Sequence, residues 1–240
     1  MEKEEFSNKL KDSMKKINIE ITEKQVDDFY NYMNLLLEWN EKINLTAITE
    51  ENDIILKHFV DCGTILKYIK DNSSIIDIGT GAGFPGIPLK ILNNSLKITL
   101  MDSLNKRIIF LNNVIDELKL SNIEAIHARA EELARNKNYR EKYDISTSRA
   151  VANLSTLSEY MLPFVKKDGI AISMKGSNID EELNNSKKAI KILGGKIEKI
   201  DNFNLAETDN LRNIIIIRKI EKTPKEFPRK AGKPSKEPIC

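Results

Sequence analysis

The sequence predicts an α/β fold: a mostly parallel sheet covered by helices, closed by an antiparallel hairpin and preceded by an N-terminal helical cap. Three observations predict it. The first seventy residues carry helical periodicity, the middle alternates short apolar runs with helical segments, and the last two apolar runs have no helix between them. From Thr22, a plausible cap, the residues Val26, Phe29, Tyr30, Met33, Leu36 and Leu37 follow helical spacing. Ile75–Ile78, Ile98–Met101, Ile123–Ile126, Asp144–Thr147 and Ile170–Met174 read as strands. A helix from about Gly86 joins the first two, and one carrying Ile108, Leu111, Ile115 and Leu118 joins the second to the third. Lys196–Ile200 and Asn213–Ile217 then form a hairpin with a polar connection. Beyond Thr223, Pro224, Pro228, Pro234 and Pro238 interleave with Lys and Arg, so an extended strap or mobile tail is expected. The divisions are 1–70 for the cap, 71–220 for the sheet domain and 221–240 for the basic tail.

Composition sets wide bounds. At 40% hydrophobic and 31% charged residues, the chain sits among ordinary globular proteins. No apolar run approaches the roughly 20 residues needed to cross a bilayer. The acidic start, Met1 to Glu5, does not resemble a secretory signal, so a cytoplasmic location is expected. Cys62 and Cys240 suggest neither a disulfide framework nor a metal site, and Cys62 reads as a small buried thiol. His58 and His127 have no companions at ligand spacing, so no metal is expected; His58 reads as a hydrogen-bonded structural group that can approach the site from the cap. Net charge is +2, yet Arg218 to Lys236 holds eight basic residues against two Glu, a cluster suited to a solvated end or to phosphate contact.

The chemistry gathers at strand ends. Asp77-Ile-Gly79-Thr-Gly81-Ala-Gly83-Phe84-Pro-Gly86 is a strand entering a glycine-dense turn, which lets a ligand approach the backbone. Gly81, Gly83 and Gly86 also satisfy the dinucleotide pattern G-x-G-x-x-G, so an NAD-linked oxidoreductase stays open on the motif alone. Two details favour S-adenosylmethionine. The Asp77 carboxylate can attract a methionine ammonium but would repel a pyrophosphate. Phe84 offers an apolar wall where a pyrophosphate wants exposed amides. Asp102, 21 residues after Gly81, can accept bonds from ribose hydroxyls or cap the segment from Ser103. Lys106 and Arg107 read as solvent-exposed. Ala130 and Glu131 stand where an adenine amine needs an acceptor, although Glu131 also suits the first turn of a helix. Arg149 closes the fourth strand, at the sheet edge facing substrate; a cofactor carboxylate, a phosphate and a guanine O6 are all within its chemistry. No Asn-Pro-Pro-Tyr follows that strand and neither cysteine follows a proline, which disfavours attack by an exocyclic amine or through a covalent pyrimidine adduct. Trp39, Asn40, Asn44 and Thr46 read as the capped and packed end of the cap helix.

Taken in order, Trp39-Asn40, Asn44-Leu-Thr46, His58-Phe-Val-Asp61, Asp77 to Pro88, Asp102 to Arg107, Ala128 to Glu132, Ser148 to Ala152 and Pro228-Arg-Lys-Ala-Gly232 resemble the small-subunit ribosomal RNA methyltransferase G family, also called glucose-inhibited division protein B. The resemblance covers the chain from about residue 25 to its end. It implies a Rossmann-like class I methyltransferase fold, S-adenosylmethionine as methyl donor, and methylation of N7 of one guanine in bacterial 16S rRNA, presented free or in the small-subunit particle. It also implies donor contacts at Gly79, Phe84, Ala130, Glu131 and Arg149, and RNA contacts through Arg229, Lys230, Lys233 and Lys236; from its place at the strand end, Arg149 or a backbone donor is also expected near the guanine O6. Two positions depart from the family: Cys62 where Ser is usual, and Lys233 where Thr is common. Guanine N7 has no proton to remove, so no catalytic acid or base is expected and positioning carries the rate. A monomer is expected, and a non-catalytic RNA-binding protein of the same fold remains the alternative to an enzyme.

Overall fold

A computed structural model describes residues 1–149, 151–177 and 179–239. Ala150, inside the Ser148–Ala152 motif, and Cys240 lie outside the described residues. In the cap, α1 (Lys3–Lys15) buries Phe6, Leu10 and Met14, and α2 (Glu23–Ile43) buries Val26, Phe29, Tyr32, Met33 and Leu36. Thr22 starts α2 with a reciprocal capping box to Gln25, which satisfies amides that the helix cannot. Asn44 ends it in a left-handed conformation, and Asn40 Oδ1 receives the amides of Leu45 and Thr46. After α3 (Glu51–Ile54) the chain widens into a π-helical stretch, Ile55–Val60, and returns to α4 (Asp61–Gly63).

The sheet alternates with its helices in the expected order: β1 (Ser74–Ile78), α5 (Gly86–Leu92), β2 (Lys97–Asp102), α6 (Asn105–Glu117), β3 (Ile123–His127), α7 (Ala130–Leu133), β4 (Tyr143–Arg149), α8 (Leu154–Met161), β5 (Val165–Lys175) and α9 (Asp180–Ile192). The closing pair, β6 (Gly195–Asn204) and β7 (Leu211–Lys219), is joined without an α-helix. Among the described residues the strands lie in the order β3-β2-β1-β4-β5-β7-β6, with β7 antiparallel to both its neighbours. Strand order therefore reverses between β1 and β4, where their carboxyl ends open a crevice.

Two apolar clusters cover the sheet. One merges α1, α2, α5 and α6 with one face, including Phe29, Leu36, Phe59, Leu100 and Phe110; the other sets Leu157, Met161, Ala189 and Ile190 of α8 and α9 against Ile76, Ala171 and Ile215. Cap and sheet share a core, and Cys62 is buried within it. The tail is an ordered strap ending in a short helix, α10 (Lys233–Lys236). Arg140 reaches the carbonyls of Thr223 and Phe227 at 2.9 and 2.8 Å, and Arg135 reaches that of Pro228 at 2.6 Å. Those side chains take the place of the strand and helix partners that the prolines deny the backbone. No described helix is long and apolar enough to cross a membrane.

Candidate functional site

The turn after β1 is built for close approach. Gly81 has φ +63°, and a methyl group placed on it meets nothing within 4 Å, so its backbone borders open space; at Gly83 (φ +102°) the same methyl group strikes Ile87 and the Tyr32 hydroxyl. Tyr32 donates to the Ala82 carbonyl, so the cap helix grips this turn from behind. Asp77 is completely buried and holds the turn from below, its Oδ2 accepting from Thr80 Oγ1 at 2.7 Å and from the Gly86 amide at 2.9 Å. Among the described residues its Oδ1 has no partner, and burial pushes the carboxyl up to about 7. The structure thus differs from the expected direct salt link. Asp77 does not line the cavity, because Thr80 and Gly86 draw its carboxylate beneath the turn.

The cavity itself encloses about 590 Å³ between the turn, Asp102, the end of β4 and the cap. Gly79, Gly81, Phe84, Asp102 and Arg149 all line it. Asp102 Oδ2 accepts from the Gly81 amide and from Arg107, each at 3.0 Å, while Oδ1 accepts from the Leu104 amide. It ties the turn to the next helix instead of capping α6, which starts at Asn105 without a side-chain cap. Arg107, expected in solvent, is only 30% exposed and lines the cavity because Asp102 holds it there. A second hollow of about 190 Å³ shares Gly79, Asp102, Ser103 and Val151 with the first and adds Ala130 and Glu131. Its outer wall is the strap: Glu131 Oε1 accepts from the Gly232 amide at 2.8 Å.

Arg149 sits between sheet and cap. Its Nη1 donates to the Lys57 carbonyl at 2.8 Å and approaches Asp61 at 3.3 Å, its Nη2 lies 2.9 Å from His58 Nδ1, and the guanidinium lies 4.9 Å from the Phe84 ring centre. His58 stacks on Phe84 with centroids 4.3 Å apart; burial, then the Arg149 charge, pulls its imidazole down to about 3. Asp61, nearly buried, also accepts from Arg212 Nε at 2.9 Å, so two guanidinium groups share one carboxylate. With Lys57, Arg107 and Lys175 also on the wall against Asp61 and Asp102, the cavity is net cationic. Among the described residues no cluster could hold a metal ion.

The structure separates the four tail cations expected to meet RNA. Lys230, Lys233 and Lys236 are exposed beside the strap. Arg229 is turned inward: its Nε and Nη2 and its backbone amide bond to Glu159, whose side chain is 1% exposed. This corrects the expectation of a phosphate contact, because the buried carboxylate has first claim on that guanidinium. Tyr32, Glu159 and Arg212 are the participants that sequence reasoning missed, and Asp61 entered it only as part of a family motif, without a role. Each acts through a partner at least 50 positions away, as in Tyr32 with Ala82, Glu159 with Arg229 and Asp61 with Arg212, so no local pattern marks them.

Comparison with known proteins adds the decisive observation: the family profile of rRNA small subunit methyltransferase G matches residues 5–214. The chain belongs to the rRNA small subunit methyltransferase G family. A Clostridium botulinum ribosomal RNA small subunit methyltransferase G is 51% identical over 237 residues, covering 98% of this chain and 99% of the relative. The Acetivibrio thermocellus enzyme of the same name is 56% identical over 222 residues, covering 92% and 91%. Among solved structures, M. jannaschii TYW2 in complex with AdoMet superposes with a TM-score of 0.54 at 15% identity, over 67% of this chain and 75% of that one. That likeness concerns the fold, a class I methyltransferase sheet. Membership in the methyltransferase G family leaves the oxidoreductase and the non-catalytic binder without an observation of their own.

Proposed function

We propose that the protein transfers a methyl group from S-adenosylmethionine to N7 of one guanine in 16S rRNA of the small ribosomal subunit. The observation that carries the reading is the cationic cavity that joins the Gly79–Gly81 turn to a wall supplied by the cap, in a chain of the methyltransferase G family. The residues fit the donor: open space over Gly81, a carboxylate at Asp102 for a ribose, and the Ala130–Glu131 hollow for an adenine. When bound, S-adenosylmethionine supplies an electrophilic methyl group. Asp77 holds the turn in shape, Phe84 gives an apolar wall, and the strap closes the adenine end through Glu131 and Gly232. Arg149 fixes the Phe84–His58 stack against the cap and adds positive potential that suits a phosphate or carboxylate. Lys230, Lys233 and Lys236 are placed to meet RNA phosphates.

In this reading residues 1–70 supply the base-facing wall, 71–220 the donor site, and 221–240 the strap and its lysines. Positioning suffices because the N7 lone pair needs no deprotonation. An accessible base is required, so structured RNA or the particle is the substrate. The test is transfer of labelled methyl from S-adenosylmethionine to small-subunit particles from a strain lacking the gene, followed by nucleoside analysis. 7-Methylguanosine in 16S rRNA is expected; label in any other nucleoside overturns the acceptor assignment.

A further inference from the structure

On the cap wall, one hydroxyl has its hydrogen-bonding role fixed by its neighbours. Thr46 is partly buried, lines the cavity, and is held through its amide by Asn40 Oδ1 at 2.8 Å. Its Oγ1 accepts from the Ile48 amide at 3.1 Å and lies 3.0 Å from His58 Nε2. Arg149 decides the direction of that second bond. A guanidinium can only donate, and its Nη2 lies 2.9 Å from His58 Nδ1, so Nδ1 accepts. The ring is then neutral with its proton on Nε2, and Nε2 donates to Thr46. In the other tautomer two N–H groups would face each other across 2.9 Å. The Lys57 carbonyl also lies 3.2 Å from Nδ1, but it already accepts from Arg149 Nη1 at 2.8 Å, and the shorter Arg149 contact to Nδ1 sets the tautomer. A threonine hydroxyl has two lone pairs and one proton. Here both lone pairs are filled, and among the described residues no acceptor takes the proton.

We propose that Thr46 reads the target base, as a donor-only hydroxyl that bonds O6 of guanine and has nothing to offer the N6 amine of adenine. The inference rests on the guanine-N7 reading above. Both purines present an N7 lone pair, so attack at N7 does not by itself distinguish them. They differ at the neighbouring position, where guanine shows an acceptor and adenine a donor. An ordinary hydroxyl would serve either base; the His58 and Ile48 bonds take that freedom from Thr46. A bond to O6 leaves N7 free to react. Since methylation makes the base cationic, donation to O6 orients and selects the base without stabilising the developing charge. Leu45 and Ile48, beside Thr46 in the same wall, give an apolar surface for the ring.

The experiment uses small-subunit particles reconstituted with either guanosine or 2-aminopurine riboside, which lacks O6, at the methylated position. Wild type, Thr46→Ser and Thr46→Val are compared by kcat/KM for labelled methyl transfer, and binding of adenosylhomocysteine is measured by calorimetry. On guanosine, Thr46→Ser is expected within about threefold of wild type and Thr46→Val to lose about 5- to 150-fold, the range for leaving one buried acceptor without its donor. On 2-aminopurine, wild type falls by a similar factor and Thr46→Val causes no further loss, while adenosylhomocysteine affinity is unchanged throughout. Equal losses from Thr46→Val on both substrates, or none on guanosine, overturn the proposal. If Thr46→Val does not fold, wild type decides alone, because equal rates on the two substrates also overturn it. Absence of 7-methylguanosine with wild type on the guanosine particle refutes the underlying function instead.

Discussion

Replacing Arg229 with Ala separates two roles for the basic tail. The Glu159 carboxylate that it binds is almost fully buried, and the Arg229 side chain is 21% exposed. Arg229 supplies side-chain bonds at 3.0, 3.1 and 2.7 Å, and the backbone amide adds one at 2.6 Å. Arg229→Ala removes the three side-chain bonds and leaves a buried charge with only the amide. Breaking a buried pair this way costs about 3–5 kcal/mol, and the surviving amide and partial exposure place this case near the lower end, about 3 kcal/mol. For a chain of this length, each kcal/mol moves Tm by about 2–4 °C, so a fall of roughly 6–12 °C is expected in a thermal scan. Glu159→Leu combined with Arg229→Met should recover most of it, since no unpaired charge remains. RNA binding measured across salt concentration gives the opposing signature. A phosphate-contacting arginine would lower the salt slope by about 1 and leave Tm unmoved. That pair of results would refute the anchoring argument.

Three further outcomes follow from the site. Asp77→Asn should gain stability relative to wild type as pH rises: the buried carboxyl titrates near 7 in the fold against 3.8 as the reference, so the wild type's advantage is complete below about 3.8 and is lost through pH 7. The span is up to about 4 kcal/mol, and a Tm difference that stays flat between pH 4 and 8 contradicts it. Gly81→Ala should cost only about 1–2 kcal/mol, the strain of a left-handed residue, yet weaken adenosylhomocysteine binding at least about tenfold by occupying the open space over the turn; unchanged affinity in calorimetry would remove that turn from the donor site. Arg149→Ala should lower labelled methyl transfer by about 100-fold through loss of alignment while changing RNA affinity only severalfold, because Arg212 still neutralises Asp61. Equal losses in the two assays count against a positioning role.

What the sequence determined by itself is local. Periodicity located α2 and its Thr22 cap, the seven strands and the helixless β6–β7 connection, because each is written in neighbouring residues. The glycine turn, Asp102 and Arg149 were legible for the same reason, since they sit at strand ends where parallel sheets open. Tertiary structure decided where charges point. Asp77 turned under its loop because Gly86 and Thr80 offer donors there, Arg107 came in from solvent to Asp102, and Arg229 left the RNA-facing set because the chain folds Glu159 beneath it. The role of Thr46 needed three segments at once, since the proton on His58 is placed by Arg149 and the lone pairs of Thr46 are filled by His58 and Ile48. A hydrogen-bond direction is a property of the whole network, and no single stretch of sequence contains it.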